Sequence, residues 1–303
     1  MAKNLVVILG PTASGKTELA ARLAWDLHGE IISADSRQVY RGMDIGTGKD
    51  LNQYIINAQK IPYHMIDIVD PDCEFNLFEF QKRFYIIFNQ IKNNNNLPIL
   101  AGGTGLYLQA ILSGYDMPEA TPEPELRKEL DQKSIEELKE IFFAFNTHLH
   151  NKTDLEDKQR LIRAIEIEKA RNKKKSEKDE RPAIDAAVFG ICWERSVLRQ
   201  RITLRLEERL QHGMIEEVEK LHTAGLSWER LDSFGLEYRY ISQYLQNMIS
   251  FDEMKKKLNT AIHQFAKRQE TWFRRMERKG IAIKWIQANE YGLLKESVMK
   301  LIK

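Results

Sequence analysis

The sequence predicts an α/β fold: a parallel sheet core flanked by helices, with an inserted all-helical lobe. Three observations carry this. Short apolar runs alternate with amphipathic helical patterns over the first third of the chain, the rhythm of strands laid side by side with helices packed on them. A G-x-x-x-x-G-K-[ST] loop, Gly10-Pro11-Thr12-Ala13-Ser14-Gly15-Lys16-Thr17, follows the first apolar run directly and marks the sheet as the phosphate-loop type. Three prolines within seven positions, Pro118, Pro122 and Pro124, then mark a hinge beyond which the spacing turns helical.

In chain order, residues 5–9 are an unbroken apolar strand, and the helix 16–27 opens inside the glycine loop. Residues 30–33 and 64–68 read as the next strands, 77–91 as a helix, 97–101 as a strand and 105–112 as a helix. Past the prolines, 125–145 and 155–171 carry apolar residues at three- and four-residue steps, and 171–181 is almost wholly charged, the composition of a flexible loop. Residues 186–191 read as a strand returning to the sheet, followed by helical patterns over 195–225, 236–249 and 251–278. A strand at 281–286 and a helix at 290–302 close the chain. This divides it into a phosphate-loop core with C-terminal helices, 1–116 with 186–303, and an inserted helical lobe, 117–185.

With 303 residues, 43% hydrophobic and 30% charged, the chain can bury a sizeable core. Its net charge is only +2, so a polyanionic partner must be met by a local basic surface. Cys73 and Cys192 form neither a disulfide framework nor a zinc spacing, which fits a reducing compartment. No run reaches the roughly 18 apolar residues of a membrane span, and the first apolar run is too short for a signal peptide, so the cytoplasm is expected. None of the seven histidines, His148 and His150 included, has a metal-ligand spacing, and no G-x-S-x-G hydrolase motif occurs.

Candidate chemistry gathers just after the strands, where ligands of parallel sheets bind. Glycines at both ends of the 10–17 loop let successive N–H groups turn inward, and the helix that follows adds its positive end. Lys16 supplies a cation, and the Thr17 hydroxyl a ligand for Mg2+ bridging phosphate oxygens. Asp35, the acidic residue immediately beyond the second strand, sits where a general base would face the loop, although Asp is also a common turn former. Gly102-Gly103-Thr104-Gly105 permits close backbone approach, with Thr104 either a ligand-facing hydroxyl or a helix cap. The strand before it ends in glycines where nucleotide hydrolases carry a magnesium-holding Asp; Asp67 or Asp70 could fill that role.

Residues 267–279 hold six basic and two acidic side chains. On a helix, Leu258, Ile262, Phe265, Trp272 and Met276 make an apolar stripe, while Lys267, Arg274 and Arg278, and Arg268, Arg275 and Lys279, make exposed rows suited to a phosphate backbone. Arg201, Arg205 and Arg209 also recur at four-residue steps, but Glu207 and Glu208 nearby favour surface salt bridging.

Taken together, Gly10 to Thr17, Ser33-Ala34-Asp35-Ser36-Arg37-Gln38-Val39-Tyr40, Gly42-Met43-Asp44-Ile45-Gly46-Thr47, Ile66-Asp67-Ile68-Val69-Asp70-Pro71, Gly102-Gly103-Thr104-Gly105-Leu106-Tyr107 and Lys267-Arg268-Gln269-x-Thr271-Trp272-Phe273-Arg274 resemble the bacterial tRNA dimethylallyltransferase family. The resemblance implies transfer of a dimethylallyl group from dimethylallyl diphosphate to the exocyclic amine of the adenosine 3′-adjacent to the anticodon. It implies that the 10–17 loop, with Mg2+ on Thr17, holds the diphosphate, that Thr104 bonds its bridging oxygen, that Arg239 reaches it from the other side, and that Asp35 takes the amine proton. It places the tRNA anticodon stem-loop on Asp35, Ser36, Arg37, Gln38, Thr104, Arg127, Gln159, Arg160, Leu161, Ile162, Arg163, Lys267, Arg268, Gln269, Thr271, Trp272 and Arg274, with the helical lobe as a clamp. No membrane is expected as a partner, and the chain is expected to act as a monomer.

The sequence departs from that family around Arg239, where many members carry Gly-Tyr-Arg-Gln and this chain reads Leu236-Glu237-Tyr238-Arg239-Tyr240. A nucleotide or small-molecule kinase would use the same loop, and an isopentenyltransferase of free adenine nucleotides the same chemistry. The basic helix and the inserted lobe argue against the latter. A non-catalytic RNA-binding protein leaves Lys16 and Asp35 unexplained.

Overall fold

All five side chains of Leu5–Leu9 (β1) are fully buried, because the strand is covered on both faces. The alternation of a strand sends Val6 and Ile8 to one face and Leu5, Val7 and Leu9 to the other. The first face packs on α1 (Lys16–Asp26) through Leu19, Leu23 and Ala24, and on α12 (Tyr291–Ile302) through Leu294 and Val298. The second packs on α2 (Leu77–Asn93) through Phe80, Phe84 and Phe88, and on α3 (Gly105–Leu112) through Leu108 and Ile111. The computed structural model describes residues 2–115, 120, 123–145, 155–173 and 181–302. The expectations for Pro118, Pro122, His148, His150 and most of the charged stretch 171–181 lie outside the described residues.

Around β1 the sheet runs β5-β2-β6-β1-β7-β8, with β2 at Gly29–Ala34, β5 at Tyr63–His64, β6 at Leu97–Gly102, β7 at Ala186–Cys192 and β8 at Lys284–Gln287, and every pairing is parallel. This is the phosphate-loop α/β arrangement that the alternating pattern predicts. Register matters for function. Leu9 pairs with Gly102, and Ala34 pairs with the same Gly102, so the glycine loop, the Asp35 turn and the Gly103–Thr104 turn all leave the sheet at one edge.

Several boundaries differ from those read in the sequence, each for a local reason. The strand expected at 64–68 stops at His64, because Met65 and Asp67 take positive φ of 66° and 55°, which no strand continues through. Ile55–Ile56 (β3) and Gln59–Lys60 (β4) form a separate antiparallel hairpin whose two central residues, Asn57 and Ala58, both have positive φ. The single helix expected over 125–145 is two, α4 (Pro124–Asp131) and α5 (Ile135–Phe143), because Ser134 and Glu137 form a reciprocal capping box that starts a new helix. The 195–225 helix breaks into α7 (Arg195–Gln211) and α8 (Met214–Thr223) at Gly213, whose φ is 96°. A short helix, α9 (Trp228–Ser233), capped by Ser227, precedes α10 (Leu236–Leu245). The long α11 spans Phe251–Arg278, as its spacing predicts.

The described chain divides into two compact units, 1–114 with 182–303, and 115–181. In the first, α7 to α11 form a helical bundle around Leu198, Ile202, Leu206, Val218, Ile241 and Leu258, a cluster that also takes in Val39 and Met43. In the second, α4, α5 and α6 (Lys158–Lys173) enclose Leu130, Leu138, Phe142, Leu161, Ile162 and Ile165.

An ion cluster links α4 to α6 within the second unit. Glu166, 1% exposed, accepts from Arg127 Nε and Nη2 at 2.8 and 3.0 Å, from Arg163 Nη1 at 2.9 Å and from the Glu123 N–H at 3.0 Å. Burial pushes its carboxyl up, but the two guanidiniums and the N–H outweigh burial and hold it below its ordinary value of 4.5. Glu166→Ala is expected to cost about 2–3 kcal/mol in denaturant unfolding, less than for a fully buried pair because both arginines reach solvent. Since the folded value is depressed, this contribution is complete above pH 4.5 and is lost as the pH falls through the lowered value, so the variant and the parent converge in acid.

Candidate active site

The glycine loop that leaves β1 is braced from outside. Trp193 Nε1 donates to the Ser14 carbonyl at 3.0 Å and Arg201 Nε to the Ala13 carbonyl at 2.9 Å, with the Arg201 guanidinium lying 4.8 Å over the Trp193 ring. Holding the carbonyls outward leaves the amides of Gly15, Lys16 and Thr17 at the start of α1, where N–H groups have no intrahelical acceptor. Ala13 and Gly15 both take positive φ, 61° and 83°, which curls the loop into an anion-binding nest. Lys16 folds back on the Pro11 carbonyl at 3.3 Å, and the Ser14 hydroxyl is buried with no partner among the described residues. Burial pushes the Lys16 ammonium down to about 8, with Arg205 and Arg209 acting in the same direction and Asp35 and Asp50 opposing. A phosphate in the nest would favour the charged form of this ammonium, as Asp35 and Asp50 already do.

Thr104 answers one open reading of the sequence. It is the N-cap residue of α3, but its side chain makes no capping bond. Instead its N–H donates to the Ala34 carbonyl at 3.2 Å and its hydroxyl oxygen accepts from the Ser36 N–H at 3.1 Å, so both neighbours of Asp35 are tied to it. The hydroxyl proton has only a long 3.5 Å contact with Ser36 Oγ and is available to a ligand. Asp35 Oδ1 accepts from the N–H groups of Arg37 and Gln38 at 2.9 and 3.3 Å; Oδ2 has no partner among the described residues. The turn-forming and the functional readings of Asp35 thus describe different oxygens of one carboxylate.

These groups line one open cleft of about 1070 Å³, which takes in residues 12–17, Asp35 to Gln38, Thr104 and Arg239. Arg239 stands at its rim, 46% exposed, with Nε on Asp232 Oδ1 at 2.9 Å and Nη2 near the Asp232 carbonyl at 3.4 Å, while Nη1 has no partner among the described residues.

The cleft also contains residues the sequence reading assigned elsewhere. Arg201, Arg205 and Arg209 are not surface salt bridges to Glu207 and Glu208; they line the cleft, and Glu207 pairs with Lys255 at 2.9 Å. Leu198, Ile202 and Leu206 bury one face of α7, which turns the arginine row toward the glycine loop. Arg205 pairs with Asp50, and Arg209, with Nη2 buried and without a hydrogen-bond partner among the described residues, lies 3.9 Å from the same carboxylate. Burial and Arg205 push the Arg209 guanidinium down to about 10. Burial raises Glu237, and Arg209 and Arg205 draw it back, so the acidic residue that departs from the family pattern sits in the field of two arginines.

Asp67 and Asp70 do not line the cleft and are paired elsewhere. Asp67 and Asp44 both pair with Lys49, 1% exposed, which also donates to the Tyr40 carbonyl at 2.7 Å, and Asp70 pairs with Arg41 at 2.8 Å. The next wall of the cleft, residues 44–48, hangs on Glu217, whose carboxylate accepts from the N–H groups of Asp44, Ile45 and Gly46 and from Tyr238 Oη. Gln38 ties the same loop back, Nε2 to the Gly48 carbonyl at 3.1 Å. No motif announced Lys49 or Glu217; their partners are brought by the fold.

The residues expected on RNA separate into two sets. On α11, Lys267, Arg268, Thr271 and Arg274 are exposed, whereas Gln269 is buried and Trp272 half-buried, with Nε1 on Gln109 Oε1 at 3.0 Å. The buried stripe of this helix is Leu258, Ile262, Ala266, Gln269, Phe273 and Met276, which corrects the stripe drawn through Phe265 and Trp272. On α6, Leu161 and Ile162 are core residues, 0% and 1% exposed, so their side chains present nothing to a partner. Gln159 bonds Asp131 at 3.1 Å, and Arg160 is largely exposed. Arg127 and Arg163 belong to the Glu166 cluster, and Arg37 donates to the Ser233 carbonyl at 3.1 Å.

The fold and cleft define a class: a parallel-sheet protein with a phosphate loop, an acid at the end of the strand one place removed, across β6, and a basic wall opposite. A sequence profile described as IPP transferase matches residues 38–276. The chain is 56% identical to a tRNA dimethylallyltransferase 1 of Syntrophus aciditrophicus over 98% of each chain, and 54% identical to one of Geotalea uraniireducens over 95% of this chain and 94% of the other. Among solved structures it is similar to the tRNA isopentenylpyrophosphate transferase of Bacillus halodurans, at 29% identity and a TM-score of 0.71, covering 99% and 97% of the two chains. The chain belongs to the IPP transferase family.

If the arginine row shares in anion binding, Arg205→Ala and Arg209→Ala should each weaken inorganic diphosphate binding by about tenfold, or ~1.4 kcal/mol. Arg205→Ala also releases the Asp50 carboxylate into the cleft and should be the worse of the two. Lys16→Met should lose about a hundredfold. Titration calorimetry at low and high salt checks the order, and the deficits should narrow as salt rises.

Proposed function

We propose that this chain transfers a dimethylallyl group from dimethylallyl diphosphate to the exocyclic amine of the adenosine 3′-adjacent to the anticodon in tRNA, releasing diphosphate. The observation that carries the reading is the clamp of Thr104 on both neighbours of Asp35, in the same cleft as the glycine loop. The names of its relatives supply the substrate class, dimethylallyl transfer and tRNA. Tight ATP turnover, the mark of the kinase reading, has no support from those relatives.

In this reading the loop amides and Lys16 hold the diphosphate, and Thr104 donates its free hydroxyl proton to the bridging oxygen. As the allylic carbon–oxygen bond breaks, its electron pair stays with the diphosphate, where fixed donors stabilise the growing charge. The adenine nitrogen lone pair forms the new bond to that carbon, and Asp35 Oδ2 takes the amine proton. Arg239 Nη1 and the arginine row meet the anion from the other side of the cleft. Thr17 offers a hard oxygen donor, and among the described residues no group of three or more His, Cys, Asp or Glu side chains could hold a metal; a Mg2+ ion bound through Thr17 and diphosphate oxygens fits that donor set and would add charge neutralisation.

A base stacked in an anticodon loop cannot enter such a cleft, so the adenine is turned out of the stack. The exposed Lys267, Arg268, Thr271 and Arg274 are read as RNA contacts, as are Gln159 and Arg160 on the second unit. The chain is proposed to act as a monomer, and no helix among the described residues is long and apolar enough to cross a membrane. We place the activity in the cytoplasm.

Incubating an anticodon stem-loop with the protein, Mg2+ and dimethylallyl diphosphate should add one C5H8 unit to the RNA by mass spectrometry, with no ADP formed when ATP is supplied instead. Asp35→Ala should lower transfer by about 100-fold or more while stem-loop affinity stays within a few-fold. Normal turnover by bound complexes of that variant would remove Asp35 as the base.

A further inference from the structure

Gln269 is a polar residue in the middle of the buried stripe of α11, 7% exposed, between Ala266 and Phe273. Both ends of its amide are used. Oε1 accepts the N–H of Thr12 in the glycine loop at 2.8 Å, and Nε2 donates to the Gly103 carbonyl at 2.9 Å. These are the two loops that hold the diphosphate in the reading above: Thr12 lies within the 10–17 nest, and Gly103 immediately precedes Thr104. The approach is close enough that a Cβ on Gly103 would collide with Gln269 Nε2, and one on Gly105 would lie 2.5 Å from Trp272 one turn further along α11.

The chemistry of the bridge is narrow. An amide is the side chain of this length that accepts at one atom and donates at the other without charge. A carboxylate keeps the bond to Thr12 but sets an oxygen against the Gly103 carbonyl; an aliphatic chain leaves a buried donor and a buried acceptor unmet, each at a cost of about 1–3 kcal/mol. The resemblance to the family placed Gln269 on RNA, but a buried amide with both ends occupied has nothing to offer a partner.

We propose that Gln269 is a positioning residue for diphosphate: it sets the spacing between the glycine loop and Thr104, and so between the donors to the terminal oxygens and the donor to the bridging oxygen of the leaving group. The inference rests on the proposed transfer reaction. It makes α11 a helix with two separate duties, exposed side chains for RNA on one face and a brace for the leaving-group site on the other.

The test uses the full chain and three readouts: calorimetric affinity for inorganic diphosphate with Mg2+, fluorescence-anisotropy affinity for an anticodon stem-loop, and single-turnover dimethylallyl transfer. Gln269→Leu is expected to lose about tenfold or more in diphosphate affinity and in transfer rate, with stem-loop affinity within twofold. Gln269→Glu, nearly isosteric and still able to accept from Thr12, is expected to lose more in transfer rate than in diphosphate affinity, because only the Thr104 side is disturbed. Arg274→Ala is expected to do the reverse, weakening the stem-loop and sparing diphosphate. If Gln269→Leu does not fold, Gln269→Glu decides. Weakened stem-loop binding with unchanged diphosphate affinity in the Gln269 variants, or no change in any readout, overturns the proposal. A parent protein that binds diphosphate but transfers nothing to RNA overturns the functional reading instead, while diphosphate loss in the variants would still uphold the brace.

Discussion

Everything in the cleft depends on three loops leaving one edge of a parallel sheet and being tied to each other there. Gly102 pairs with Leu9 on one side and Ala34 on the other, and Thr104 then bonds the residues before and after Asp35. Because helices pack on both faces of the sheet, a strand that slid would have to repack its apolar side chains against both layers. The edge inherits that rigidity. A carboxylate, a hydroxyl and a ring of amides are therefore held in mutual register by a core that takes no part in chemistry.

The helical bundle completes the site by a different route. The glycine loop, Lys16 and Thr104 belong to the sheet, but Arg201, Arg205 and Arg209 belong to α7, and Gln269 to α11. Their placement follows from apolar packing on the other side of the same helices, through Leu198, Ile202 and Leu206 in one and Ile262, Ala266 and Phe273 in the other. Burial pushes the Lys16 and Arg209 side chains toward the neutral form, and Arg205 acts in the same direction on both. Asp50 and Glu237 offset part of the positive charge there. The departure of Glu237 from the family pattern thus sits beside arginines of the same cleft.

Some of this was legible in the sequence and some was not. The glycine loop is contiguous, so its conformation is encoded by its own residues, Gly15 with φ of 83° among them. Strands 5–9 and 97–101 were plain from apolar runs, the second ending one residue later in the structure, and α11 from its spacing alone. The strand at 64–68 misled because Met65 and Ile66 are buried without being extended; burial and strand geometry coincide often, but not where φ turns positive. A Ser134 to Glu137 capping box was present in the sequence as the stop between α4 and α5. Gln269 also left a trace, a polar residue at a core register of a helix, although its partners 257 and 166 residues away did not.

The sequence by itself determined the class of fold and the anion nest, because the alternating apolar runs and the glycine loop are each written in residues adjacent in the chain, whereas sheet pairing brings Asp35 to the nest. Tertiary structure alone decided which way the arginine row of α7 faces, that Asp67 pairs with Lys49, that Leu161 and Ile162 are core, and that Gln269 bridges two loops. The physical reason is the same in each case. A side chain's partner across a long sequence separation is selected by how apolar faces pack, and periodicity reports that a face exists without reporting what lies opposite it.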